Sequence, residues 1–283
     1  MRAKKSLTSL GGDVGMHRYL RSKLVVVGLV ALMSVAVSAF AQSQYSFGYD
    51  TCPGEVLVYT GEVSTQVEVP WVELSDHSPK MMYYRTTLTT QAAEDEVISR
   101  LEETVVTLPN GERISDQVTY RLLAPDFAYI DTPGGAVTGV DFFPPIPVAA
   151  GMSWTITTEL AIPYVNAILP VTTTYQLQEI VPIGTDKVAV IRHYTELERG
   201  TVDYLQTEMN LDLKAWGKSF WSLGSGDYVG RSVTNQIILE LPAEMGGGEM
   251  VTTVKRSEVI ESGNAVPAPI EDYIMLYLQK QLD

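Results

Sequence analysis

Cysteine and histidine are nearly absent: the 283 residues contain one cysteine and three histidines. One cysteine cannot close an internal disulfide, so the fold has to be held by its core, which a chain of this length is large enough to form. Cys52 reads as a small, partly buried residue. A nucleophilic thiol there would need a histidine partner, His77 or His193, and nothing in the sequence brings either to it. The same scarcity argues against a transition-metal centre, because there is no H-x-x-x-H and no C-x-x-C spacing. No cofactor motif is present. The G-x-S-x-G elbow of serine hydrolases is missing too: Gly224-Ser225-Gly226 has the wrong spacing and reads as a turn. The sequence therefore nominates no catalytic and no metal-ligating residue.

Positive charge is also sparse. From Gln42 onward there are 14 Lys and Arg against 33 Asp and Glu, a formal charge of −19. Such a surface repels phosphate backbones and anionic lipid headgroups, so nucleic acid and anionic membrane surfaces are poor partners. Abundant acids also empty one motif of meaning, since among so many carboxylates some pair stands at a glycosidase separation whatever the protein does. Glu159, Glu179, Glu196, Glu208 and Asp212 fall mostly on outward strand faces and read as solvated surface.

What is present begins with an export signal. Arg18, Arg21 and Lys23 precede an apolar run from Leu24 to Ser38, and Ala39-Phe40-Ala41 offers small residues at the two positions a signal peptidase must accommodate. Residues 1–41 thus read as a signal peptide cleaved before Gln42, with Met16 as an alternative start. The protein is expected in the periplasm, the cell envelope or the extracellular space. A retained N-terminal membrane anchor is the competing reading, because Leu24 to Ala41 approaches the roughly 20 apolar residues that span a bilayer. Gly28, Ser34 and Ser38 interrupt the run and favour cleavage. Glutamine at 42 argues against a lipoprotein.

Beyond Gln42 the dominant pattern is period two, the mark of half-buried antiparallel strands. Trp154, Ile156, Leu160 and Ile162 share one face of a strand, and Val171, Thr173, Tyr175, Leu177 and Val181 form the inward set of the next. Strands are expected at 55–64, 66–74, 81–90, 104–109 and 112–123. A second run follows at 152–162, 170–182, 186–197, 201–213, 215–223, 227–242 and 250–261. Asn110-Gly111, Gly184, Arg199-Gly200, Gly224-Ser225-Gly226-Asp227 and Gly246-Gly247-Gly248 are the expected turns. Residues 91–103 fit both a helix, through Val97, Ile98, Leu101 and Val105, and a strand. The fold class is mainly β: a long-stranded antiparallel meander curved into a barrel or half-barrel. It occupies 42–261, with a possible sub-boundary near 132–150. A linker at 262–269 leads to a short amphipathic helix at 270–283, whose Ile270, Tyr273, Ile274, Tyr277 and Leu278 stripe is suited to packing on the sheet.

The segment Pro144-Pro145-Ile146-Pro147-Val148-Ala149-Ala150-Gly151-Met152-Ser153-Trp154 opens the second run of strands. Its prolines lack an N–H and must form a connector ahead of the strand. With the hairpin through Lys187 to Ile191 and the later Gly224-Ser225-Gly226, it resembles exported bacterial β domains of unknown function that carry a P-x-x-P-V-x-x-G-x-x-W lead-in to a strand meander. The resemblance spans roughly residues 140–242 and implies architecture, not activity. Met152 and Ser153 depart from the acidic or polar pair commoner there.

Trp71, Trp154, Trp216 and Trp221 could stack on a ligand, although aromatics are also what strands prefer. Trp154 reads as core. Trp216 and Trp221 lie on opposite faces of one strand, so one of them can meet a ligand or partner; Trp216, Trp221 and Trp71 are the binding candidates. Two functions follow: a non-catalytic exported β domain that binds a ligand or acts as an envelope interaction module, or an extracellular hydrolase using paired carboxylates. Apolar and aromatic side chains on the working face would mark the first, two converging carboxylates the second.

Overall fold

The computed structural model describes residues 43–48, 51–71, 79–94, 97–123, 129–131, 143–144, 146–162, 167–204, 207–261 and 268–282. The expected export signal, His77 and most of the expected linker lie outside these residues. Thirteen strands are described: β1 (Gln44–Tyr45), β2 (Val56–Glu68), β3 (Lys80–Glu94), β4 (Val97–Thr107), β5 (Arg113–Leu123), β6 (Tyr129–Asp131), β7 (Val148–Ala149), β8 (Ser153–Ile162), β9 (Ala167–Ile183), β10 (Asp186–Tyr204), β11 (Thr207–Ser222), β12 (Asp227–Leu241) and β13 (Gly248–Ile260). A helix, α1 (Ala268–Leu282), ends the chain.

Eleven strands form one antiparallel sheet in the order β6-β5-β4-β3-β2-β13-β12-β11-β10-β9-β8, and β1 pairs with β7 separately. Each half of the chain is an up-and-down meander, and the halves meet at the centre where β2 pairs with β13. β6 and β8 end the sheet without pairing to each other, so it is open and not a closed barrel.

Several local expectations change. Residues 91–103 are strand: β4 is bonded on both sides, to β3 and β5, and this two-sided ladder prevails over the helical spacing. The expected break between 64 and 66 is absent, since β2 runs unbroken from Val56 to Glu68. Arg199-Gly200 is not a turn; it sits inside β10 at an irregularity where Leu197 faces Leu213 and Gly200 faces Leu211. Val181 leaves the inward set because the register shifts between Val190 and Ile191, which face Glu179 and Leu177, and one extra residue swaps the faces beyond it. Cys52 is exposed, in the turn that precedes β2.

The core has three parts. On one face of the sheet, termed inner, Trp154, Tyr175, Leu177, Ala189, Ile191 and Trp221 pack with Phe143 and Val148. Further along the strands, Val202, Met209, Leu211, Leu213 and Leu241 form a cluster with Leu169, Leu197, Ile237, Leu239 and Met250, all supplied by β9 to β13. The third cluster includes α1, which buries Ile270, Ile274 and Leu278 with Val188, Val190, Phe220 and Val259. The apolar stripe thus packs on the sheet, and Pro269 and Glu271 suit the first turn of a helix.

Candidate functional site

Chemistry-bearing side chains gather at two places, one on each face of the sheet. On the inner face, cross-strand register lines up Leu177, Ile191, Ser219, Arg231, Glu258, Gly61 and Tyr84 from β9 to β3. The adjacent row carries Trp154, Tyr175, His193, Gly217, Val233 and Arg256. Apolar and aromatic residues occupy the β8–β10 side, and charged groups occupy β12 and β13 beside neutral tyrosines.

Glu258 is the hub. Its Oε1 lies 2.6 Å from Arg231 Nε and accepts from the Tyr228 hydroxyl at 2.8 Å. Its Oε2 accepts from the Tyr84 hydroxyl at 2.6 Å and pairs with Arg256 Nη2 at 2.9 Å. Arg256 Nε also donates to Tyr84 Oη at 2.8 Å, and its guanidinium lies 4.6 Å from the Tyr84 ring centre. Burial alone would raise the Glu258 carboxyl. Arg231 and Arg256, with hydrogen bonds from Tyr84 and Tyr228, prevail and bring its pKa down to about 2. Burial and the nearby Glu258 charge push the Tyr84 phenol up. Gly61 makes the arrangement possible: a Cβ there would stand 2.6 Å from Tyr84 Cζ and collide with the Ser257 carbonyl.

His193 lies in the same layer, its ring 6.2 Å from that of Tyr175, which stacks on Trp154 at 5.5 Å. A Cβ on Gly217 would reach within 3.0 Å of its Cε1. Burial, then the charge of Arg231, lowers its pKa to about 4, so the ring is neutral near pH 7. Its Nε2 is buried without a hydrogen-bond partner among the described residues, where a satisfied core histidine is the ordinary expectation.

The outer face carries different residues. Tyr194 on β10 stands directly opposite Trp216 on β11, and they are 39% and 41% exposed. Thr174 and Thr234 flank the pair in the same row. Glu196 and Asp212 lie on this face, and Glu196 pairs with Lys214 at 3.4 Å.

The three tryptophans nominated from sequence are not brought together. Trp221 is 2% exposed and meets Phe143 edge-on at 4.5 Å, so it belongs to the inner core. Trp216 is on the outer face. Trp71 is 55% exposed, in a turn beyond β2, where its ring leaves no room for a Cβ on Gly246. Sequence reasoning missed Glu258, Arg231, Arg256 and Tyr84. Their alternation was visible, but that they share a row depends on the β2–β13 pairing. Among the described residues no group of three or more His, Cys, Asp or Glu is placed to hold a metal ion, and no helix is long and apolar enough to cross a membrane.

No family model matches the chain, and no curated protein does. One solved structure it is similar to is a Bacteroides fragilis protein proposed to be exported and described as having a YmcC-like fold. The match covers 77% of this chain and 100% of that one, at 9% identity and a TM-score of 0.28.

Proposed function

We propose that the chain is an exported, non-catalytic β domain that recognises its ligand or partner on the outer face of the sheet, around Tyr194 and Trp216. The observation that carries this reading is the contrast between the two faces. The buried acid Glu258 is fully engaged by two guanidiniums and two phenols and stays ionised, so it is not available to donate a proton as one member of a hydrolytic carboxylate pair must. Among the large side chains that packing leaves exposed on the sheet, a tyrosine and a tryptophan stand side by side on β10 and β11, the residue types that favour recognition surfaces. Export rests on the basic, apolar and small-residue order of residues 18–41, and the proline-rich lead-in at 144–154 resembles exported bacterial domains.

The test runs the exported protein through native gels cast with soluble polysaccharides and incubates it with the same polymers while new reducing ends are counted. Retardation that is lost in Tyr194→Ala/Trp216→Ala, with no product released, is the expected result. Product release that Glu258→Gln abolishes would overturn the reading in favour of a hydrolase.

A further inference from the structure

A patch of the outer face around the aromatic pair carries more cations than anions on a chain that is otherwise strongly acidic, with Glu62 and Asp212 at its border. Three consecutive outward rows across β10 to β13 comprise twelve positions, fixed by the ladder register. Four of them are cations, Arg192, Lys214, Lys218 and Lys255, and one, Glu196, is an anion. From Gln42 onward the whole chain has only 14 cationic residues against 33 acids. Arg192 and Lys218 face each other one row from Tyr194 and Trp216, about 7 Å along the strands, and Lys255 lies in the aromatic row two strands away, about 10 Å from Trp216. Arg192 and Lys255 are exposed, whereas Lys214 is shared with Glu196 and the Lys218 amine rests 4.8 Å from the Tyr277 ring. The other seven positions are the aromatic pair and neutral Ser, Thr and Gln side chains.

We infer that this face is a binding site for an acidic polysaccharide, a single chain bearing carboxylates on its sugar rings; the inference rests on the reading of the outer face given above. Each part of the surface answers one part of such a ligand. Aromatic faces take the C–H faces of sugar rings by stacking. Hydroxyl and amide side chains exchange hydrogen bonds with sugar hydroxyls. Arg192 supplies the planar fork that matches a carboxylate, and Lys255 a point charge on the far side of the aromatic pair. The overall negative charge selects the form of the ligand. A membrane plane or a nucleic-acid duplex would meet the surrounding acidic surface as well as the patch. A single polymer chain lying along the three rows meets the patch and, at its border, only Glu62 and Asp212, while at physiological salt acids more than about 8 Å away are largely screened from it.

The test uses the exported protein with polygalacturonate as the anionic probe, methyl-esterified polygalacturonate as the same backbone without charge, a single-stranded oligonucleotide and anionic phospholipid vesicles. Expected are binding to polygalacturonate that weakens as salt rises, a loss of at least about tenfold on esterification, and a similar loss in Arg192→Glu/Lys255→Glu and in Tyr194→Ala/Trp216→Ala. Both double variants should keep the parent melting temperature. Equal binding to the esterified polymer, lost only in the aromatic variant, would overturn the acidic ligand while leaving the aromatic face as the site. Binding to the oligonucleotide or vesicles but not to polygalacturonate, or to none of the four probes, would overturn the proposal. Polymer binding that neither double variant changes would overturn the outer-face reading itself.

Discussion

Replacing Glu258 with alanine would leave the Arg231 and Arg256 guanidiniums in a shared buried site without the carboxylate between them. The tyrosine hydroxyls of residues 84 and 228 would lose their acceptor as well. Removing one partner of a buried ion pair typically costs about 3–5 kcal/mol, because the charge that remains is uncompensated. Folded domains of this kind have roughly 5–15 kcal/mol in total. For a domain of this size about 2–4 °C of melting temperature accompanies each kcal/mol, so Glu258→Ala should melt roughly 6–20 °C below the parent at pH 7. Acid supplies a second handle. The folded carboxyl titrates near 2, against 4.5 for an unperturbed one, so the unfolded chain binds the proton first as pH falls. The stabilisation is therefore complete above about pH 4.5 and disappears between there and pH 2. Glu258→Gln, which keeps the shape but not the charge, lacks this component. Urea midpoints of parent and variant should stay a fixed distance apart from pH 8 to 5 and converge below 4.5. An Ala variant within about 1 kcal/mol of the parent, or a Gln variant whose deficit ignores pH, would refute the network as the central prop of the inner face.

Gly61→Ala should displace the Tyr84 ring from Glu258 and lower the urea midpoint, and pairing it with Tyr84→Phe should cost less than the two changes summed. His193, with a folded pKa near 4 against an ordinary 6.5, makes the parent lose stability as pH falls from 6.5 to 4; His193→Leu should flatten that part of the stability profile. Trp154→Ala removes a buried ring stacked on Tyr175, should cost about 3–5 kcal/mol, and is read by thermal melting or by loss of exported protein. N-terminal sequencing of exported material should begin at Gln42, allowing for cyclised glutamine.

The strand-rich class, the terminal helix and the burial of Trp154 were legible because each depends on local alternation or spacing. Trp154 follows its proline connector and Gly151, and parity alone assigned it to the core. Errors arose where a single residue alters parity. The register shift in β9 turned Val181 toward α1, and the one inside β10 absorbed Gly200 into a strand. Residues 91–103 satisfied two periodicities, and only the flanking strands decided between them. The Glu258 network was illegible for a different reason. Its members lie on β3, β12 and β13, and no local pattern shows that the first half of the chain docks on the last strand. Trp216 and Trp221 were correctly placed on opposite faces, while which face was solvated followed from the inner core that receives Trp221.

The pairing of β2 with β13 bears on the order of events during folding. Tyr59 lies beside Ile260 and Glu68 beside Val251, so this central ladder joins segments about 200 residues apart. Closing so long a loop costs chain entropy before any contact repays it, and sheets rich in such distant contacts assemble slowly. A chain emerging from its N-terminus can form the local hairpins from β2 to β5, but it has nothing to dock them on until β13 has been made. The molecule therefore stays incompletely folded until nearly all of it is synthesised, and its last strand acts as the keystone on which both halves of the sheet close.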